Sequence, residues 1–73
     1  MTRMPQVTAR DLITFLKANG FVEDRQSGSH LTLRNEASGI SITVPLHGQS
    51  EIGRGLAVRI LKDAGFSIDD FLQ

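Results

Sequence analysis

Apolar residues at the start of the chain recur with the spacing of an α-helix. Between residues 9 and 16 they form one stripe, while charged residues take the opposite side. Thr8 and Asp11 have the spacing of a capping box, in which each end of the motif binds a backbone N–H of the other. Asn19-Gly20 is typical of a helix end. The sequence therefore predicts a first amphipathic helix that begins after Thr8.

A second helical pattern lies near the other end of the chain. It begins between Gly53 and Gly55 and ends at Gly65. Its predicted apolar arc consists of Leu56, Ala57, Ile60, Leu61 and Ala64. Ser67 and Asp70 then form another capping box, which predicts a short closing helical turn.

Between the helices the apolar residues recur at every second position, which is the spacing of a strand that is buried on one face. Three strands are predicted, at residues 21–26, 29–35 and 40–44, with turns at Ser27-Gly28 and 35–39. Pairing is expected to stop at Pro45, because proline has no N–H to donate. The predicted core face carries Leu31, Leu33, Ile40, Ile42 and Val44. The predicted open face carries His30, Thr32, Arg34, Ser41 and Thr43.

This order of elements predicts an α+β domain of the type α-β-β-β-α, followed by a helical turn. An antiparallel sheet that alternates apolar and polar residues is covered on one face only, so both helices are expected on that face. At 73 residues the chain is expected to be one domain, 1–73, with its core at about 8–72.

Composition excludes several classes of protein. There is no cysteine, which excludes disulfides and thiolate zinc sites. No apolar run reaches the length of a membrane span, and the N-terminus lacks the apolar segment of a secretion signal, so a cytoplasmic protein without a membrane is expected. Net charge is zero, but eight basic and five acidic residues up to Lys62 give +3, and the last eleven residues give −3. A nucleic-acid surface on the body is compatible with this division.

His30 is the first candidate for chemistry, since a histidine on a polar strand face is not needed for packing. An imidazole exchanges protons near neutral pH, and RNA strand scission needs a base at the 2′-hydroxyl and an acid at the leaving 5′-oxygen. Arg25 or Arg34 could stabilise the charge that develops on the phosphate. The alternative is a solvated surface histidine without a role.

His47 follows the third strand in a glycine-containing loop, where it could be a second proton-transfer group or a phosphate contact. The alternative is a histidine that binds a backbone carbonyl. His30, His47 and Glu51 lack the ligand spacing of a metal site, so no metal is expected. Gly53-Arg54-Gly55 before a helix could hold a phosphate, but it serves equally well as a flexible helix entry.

Three blocks of sequence resemble the HicA family of toxins, small RNA-cleaving partners of HicB-type antitoxins. The resemblance covers about residues 8–71. The blocks are Phe21 to His30 with its R-Q-x-G-S-H ending, Ile42 to His47 as I-T-V-P-x-H, and Glu51-Ile52-Gly53-Arg54-Gly55-Leu56 running into Arg59-Ile60-Leu61-Lys62-Asp63-Ala64-Gly65. Their order and spacing are more specific than any one of them.

The resemblance implies a fold like that of a double-stranded-RNA-binding domain, which matches the element order. It implies an endoribonuclease that cleaves mRNA with neither metal nor cofactor, with His30 as the catalytic residue and Gly28 and Ser29 in support. The RNA-binding or phosphate-binding candidates are Arg25, Ser29, Arg34, His47, Arg59 and Lys62. It further implies a HicB-type antitoxin as the protein partner.

Two other functions fit the same expected fold. One is an RNA-binding module without catalysis, which would retain RNA and release no product. The other is a protein-interaction domain whose basic body binds an acidic partner. The latter is compatible with a nuclease, because a partner over His30 would block access to it.

Overall fold

The computed structural model describes residues 6–46 and 51–73 of the chain. Helices and strands follow one another in the expected order, with two short extra strands, one before the first helix and one before the second. The elements are β1 (Val7–Thr8), α1 (Ala9–Ala18), β2 (Phe21–Ser27), β3 (His30–Asn35), β4 (Ile40–Pro45), β5 (Glu51–Ile52), α2 (Arg54–Ala64) and α3 (Ile68–Leu72). The α+β class and the arrangement like a double-stranded-RNA-binding domain are confirmed.

The predicted capping box fixes the start of α1. The Asp11 backbone N–H donates to the Thr8 hydroxyl, and the Thr8 backbone N–H donates to the Asp11 carboxylate, both at 3.1 Å. Two of the N–H groups that a helix start leaves without partners are thereby satisfied. The helix then buries Ala9, Leu12 and Leu16 against the sheet.

The three-stranded antiparallel sheet has the order β2-β3-β4. Leu31 pairs with Val44 and Leu33 with Ile42, and these four side chains lie on one face, where each is at most 5% exposed. Helices α1 and α2 pack on the sheet and share this core. The predicted alternation of β3 and β4 is therefore confirmed.

The turn between β2 and β3 is a two-residue loop, Gly28-Ser29, closed by the pair Ser27 and His30. Gly28 has φ of +58°, and no residue other than glycine has a positive φ among those described. A positive φ at the first loop position followed by a negative one has the signs of a type II′ turn, whose twist matches that of the two strands. A turn is thus confirmed here, one residue later than the predicted Ser27-Gly28, and glycine is needed at its first position.

Two features at the edges of the fold differ from the sequence analysis. Val7 pairs with Ile52 in a two-stranded ladder that the sequence pattern did not predict, and both side chains are buried. Pairing was expected to end at Pro45, yet the Leu46 backbone N–H donates to the Ser29 carbonyl at 2.5 Å. The missing N–H of Pro45 costs no ladder bond, because alternate residues of an antiparallel strand point their backbone groups away from the neighbour.

The chain ends in the short helix α3, which begins with the predicted capping box of Ser67 and Asp70. The ring of Phe15 in α1 stacks edge-on against Phe66 at 5.0 Å and against Phe71 at 5.3 Å. These contacts hold the C-terminal segment against α1, since edge-to-face aromatic pairs are favourable beyond their buried area.

Within the described parts of the chain, none of the helices has the length and apolar character needed to cross a lipid bilayer.

Two glycine-to-alanine substitutions are expected to change stability in opposite directions. A Cβ added at Gly28 or at Gly55 meets no atom within 4 Å, so neither change causes a clash. Gly28→Ala places a side chain at φ +58° and is expected to lower the free energy of unfolding by about 1–2 kcal/mol. Gly55→Ala lies inside α2 and is expected to raise it by about 0.5–1 kcal/mol.

Urea denaturation followed by circular dichroism measures both values. Equal stability of Gly28→Ala and the wild type would show that the turn does not need the left-handed conformation.

Candidate functional site

No helix among residues 6–46 and 51–73 covers one face of the sheet, and we call it the bare face. The strand register places nine residues there, in three rows that run across β2, β3 and β4. The rows are Ser27-His30-Pro45, Arg25-Thr32-Thr43 and Val22-Arg34-Ser41. None of these nine positions carries a carboxylate. The bare face is thus polar, with basic groups at three of its positions.

His30 lies at the end of the bare face, next to the hairpin turn. Its side chain is exposed, whereas its neighbour Leu31 is 5% exposed in the core. The expectation that the histidine faces solvent on the uncovered side is therefore confirmed. As the first residue of the central strand it is flanked on both sides, by Ser27 and by Pro45. Its backbone is fixed by the sheet, and its side chain lies at the surface of the bare face.

Arg25 lies diagonally across from His30 because β2 and β3 pair without interruption from the hairpin turn, with Ser27 opposite His30 and Arg25 opposite Thr32. Beyond Arg25 the register shifts at a bulge, since Glu23 pairs with Leu33 and Asp24 is an extra residue in β2. The bulge lets Arg25 lie on the bare face while Phe21 at the other end of β2 is buried. In the observed register Arg25 is a diagonal neighbour of His30, at about 7–8 Å between the Cβ atoms. Among the residues of 6–46 and 51–73, Arg25 has no ion-pair partner within 4.0 Å.

Arg34 lies on the same face but in a different setting. Its Nε donates to the Glu36 carboxylate at 3.1 Å, and another guanidinium nitrogen donates to the Ser41 hydroxyl at 3.3 Å. Arg34 lies four positions after His30 on β3, a distance of about 13 Å along the strand. The sequence left Arg25 and Arg34 as equal candidates, and the register makes Arg25 the arginine near the histidine.

Two hydroxyl groups lie on the bare face in the same row as Arg25. The Thr32 and Thr43 hydroxyls are 3.1 Å apart and share a hydrogen bond. The sequence placed Thr43 on the polar side of its strand without giving it a role. The signal that could have pointed to it is the alternation of Ile42 and Val44 around it.

The other sequence candidates are spread over the molecule. Ser29 lies in the turn beside His30, and its carbonyl accepts the hydrogen bond from Leu46. Arg59 and Lys62 are exposed on α2, on the opposite side of the sheet from His30. His47 lies outside the described residues, and with it the considered metal set of His30, His47 and Glu51.

The arrangement suits an anion that lies flat on the bare face. The Arg25 guanidinium offers several N–H donors, the threonine pair adds hydroxyls, and the imidazole lies at one end of the same surface. A phosphate held by Arg25 would be within reach of a proton-transferring group at His30.

Comparison with known proteins shows which family the chain belongs to. A search of curated proteins found no match to the chain. The sequence model of one family matches residues 9–66, and that family is described as the HicA toxin of bacterial toxin-antitoxin systems. The match runs from the first residue of α1 to just past α2 and includes the whole bare face. Since it covers more than half of the chain, the protein belongs to the HicA toxin family.

Proposed function

We propose that this protein is an endoribonuclease that cleaves mRNA in the cytoplasm, without a metal or a cofactor. The observation that carries the proposal is the exposed His30 on a face whose nine paired positions include two arginines and no carboxylate, in a chain that belongs to a toxin family. Membership in that family implies an antitoxin partner, and we propose a HicB-type protein that covers the bare face.

In the proposed reaction His30 acts as general base and then as general acid. The imidazole takes the proton of an RNA 2′-hydroxyl, and the 2′-oxygen forms a bond to the adjacent phosphorus. The bond from phosphorus to the 5′-oxygen breaks, and the imidazolium returns its proton to the leaving oxygen. The products are a 2′,3′-cyclic phosphate and a 5′-hydroxyl, and no other reactant is consumed.

We assign the phosphate contact to Arg25. Charge increases on the nonbridging oxygens as the 2′-oxygen attacks, and a guanidinium aimed at them stabilises the transition state more than the ground state. Arg25 suits this role because it is a diagonal neighbour of His30 and has no described ion-pair partner. Arg34 is already bound to Glu36, so it is assigned to the RNA strand farther along the face.

Supporting contacts are assigned by position. Ser29 is placed next to the histidine by the turn, and its exposed side chain can donate to a phosphate or a 2′-hydroxyl. Arg59 and Lys62 lie on the far side of the sheet and are not assigned to the phosphate at His30.

Substitution of His30 tests the proposal directly. His30→Ala is expected to lower single-turnover cleavage of an mRNA by at least about 100-fold with a chelator present, because general acid–base catalysis contributes that much or more. Lys62→Ala, on the opposite side of the sheet, is the matched control and is expected to cleave like the wild type. Gel analysis with end-group mapping measures the rate and the cyclic phosphate.

The same pair of variants can be compared in cells. Induced wild-type protein is expected to arrest growth, and His30→Ala is expected to relieve the arrest at equal protein level. Equal cleavage by wild type and His30→Ala would remove the histidine from the mechanism. Loss of all cleavage on addition of chelator would remove the proposed metal independence.

A comparison of the two arginines tests the phosphate assignment. Arg25→Ala is expected to lower the cleavage rate by about 100-fold, the usual effect of losing one donor to a developing oxyanion. Arg34→Ala is expected to lower it less than about 10-fold. Rates measured at saturating RNA separate this effect from binding. A larger loss in Arg34→Ala than in Arg25→Ala would reverse the assignment.

The salt dependence of RNA binding tests whether the RNA lies on the bare face. His30→Ala is expected to bind single-stranded RNA with a log–log salt slope of about −1.4, since two arginines on the bare face neutralise two phosphates. Arg25→Ala in that background is expected to reduce the slope by about 0.7. Fluorescence anisotropy measures both. A slope unchanged by Arg25→Ala would place the RNA on another surface.

A further inference from the structure

The two edges of the sheet are protected to different degrees. The β2 edge has a bulge and carries charged residues, both of which discourage pairing with another strand. Strand β4 keeps one unbroken register with β3 over its whole length, and its six residues include no charged side chain. Apart from Pro45 at its end, the described part of β4 therefore has neither the bulge nor the charged side chains that protect the β2 edge.

The backbone groups on that outer side belong to Ser41 and Thr43. The hydrogen bond from Leu46 to Ser29 fixes the alternation of the ladder, so that Ile42 and Val44 bond to β3. Ser41 and Thr43 then direct their N–H and C=O groups away from the sheet. In the described sheet β4 has one neighbour, and these groups are available to another strand.

A cleft of about 460 Å³ lies directly beside this edge, between β4 and α2. Its lining includes Ser41, Thr43, Leu56, Arg59, Ile60 and Asp63. Leu56 was predicted to belong to the core arc of α2, and that prediction was wrong, since 44% of the residue is exposed. Neither Arg59 nor Asp63 has an ion-pair partner among the described residues. The edge thus has a mostly polar cleft, to which Leu56 and Ile60 add apolar surface, and whose lining carries one charge of each sign.

We propose that this surface binds a second copy of the chain. Two β4 strands would pair antiparallel, with Ser41 of one copy opposite Thr43 of the other, and would form about four new hydrogen bonds. The α2 helices would then run side by side, with Leu56 of each copy in the cleft of the other and Arg59 of each near Asp63 of the other.

The self-complementarity of the surface favours a second copy over an unlike partner. A two-fold axis brings each residue of the patch against a different residue of the same patch. Arg59 and Asp63 lie one turn apart on α2. Under a two-fold axis, Arg59 of each copy would lie opposite Asp63 of the other, which gives two ion pairs. Zero net charge of the chain means that two copies do not repel each other at long range.

The proposed dimer has a consequence for the bare face. A two-fold axis perpendicular to the sheet leaves both bare faces on the same side of a six-stranded sheet. His30 lies one strand in from the shared edge and level with Pro45, three residues from Ile42 at the two-fold axis. The two histidines are therefore three strand spacings apart across the sheet, about 14 Å, and six residues apart along the strands, about 20 Å. The dimer does not depend on the cleavage chemistry, and it would offer RNA a surface twice as wide.

Sedimentation velocity of the full chain tests the dimer. The His30→Ala background separates this test from nuclease activity, because His30 is not on the paired edge. The protein, freed of RNA by high salt, is expected to show a monomer–dimer equilibrium between about 10 and about 500 µM, the range expected for a small interface.

Charge reversal identifies the surface. Arg59→Asp and Asp63→Arg are each expected to weaken the dimer by about 10-fold, and the double variant is expected to restore it. Lys62→Asp changes the same charge on the same helix outside the cleft and is expected to leave the dimer unchanged. Circular dichroism confirms that each variant is folded.

Monomers at every concentration, or a dimer that persists in both single variants, would overturn the proposal. So would a double variant no tighter than the single ones, or association that disappears when RNA is removed.

Discussion

Four aliphatic side chains at alternate positions of β3 and β4 determine the direction of every other residue in those two strands. Leu31, Leu33, Ile42 and Val44 are buried together under the two helices. Burial of each contributes about 1.5–3 kcal/mol, so a register slip that exposed all four would cost about 6–12 kcal/mol. That is comparable to the whole stability of a small domain, about 5–15 kcal/mol. The slipped register is therefore excluded, and the bare face follows from the core.

This dependence separates stability from function at His30. The residue is on the bare face because Leu31 next to it must be buried, not because its own ring forms a core contact. Removal of the imidazole therefore leaves the packing of both helices unchanged. The turn residue Gly28 contributes differently, because its left-handed backbone fixes where the strand begins. A substitution there affects both the fold and the position of the histidine.

Sequence reasoning predicted the features that depend on local chemistry. The capping boxes at Thr8 and Ser67 and the alternation of β3 and β4 depend on neighbouring residues, and they were confirmed. The bulge at Asp24 could not be predicted, since it depends on how a strand with poor alternation matches its partner. Poor alternation in that strand was its one visible sign, and the bulge is what allows Arg25 to lie on the bare face while Phe21 is buried in the core.

Other misses have the same origin, a contact between distant parts of the chain. Val7 and Ile52 form a two-residue ladder, which is too short to produce a period in the sequence. Leu56 fits the apolar arc of α2 by spacing, but the sheet ends before it can cover that position. A helical wheel indicates which residues share a face. It cannot show how far the opposing surface extends.

The net charge of the chain does not describe the charge of the bare face. The chain is neutral, which by itself argues against strong attraction to RNA. Folding nevertheless separates the signs: Arg25 and Arg34 lie on the bare face, while Asp69 and Asp70 lie on α3 at the end of the chain. With so few cations on the bare face, long-range attraction contributes little to holding RNA there. Recognition must then depend on a phosphate placed correctly between Arg25 and His30, and such placement is a property of the register and the bulge rather than of net charge.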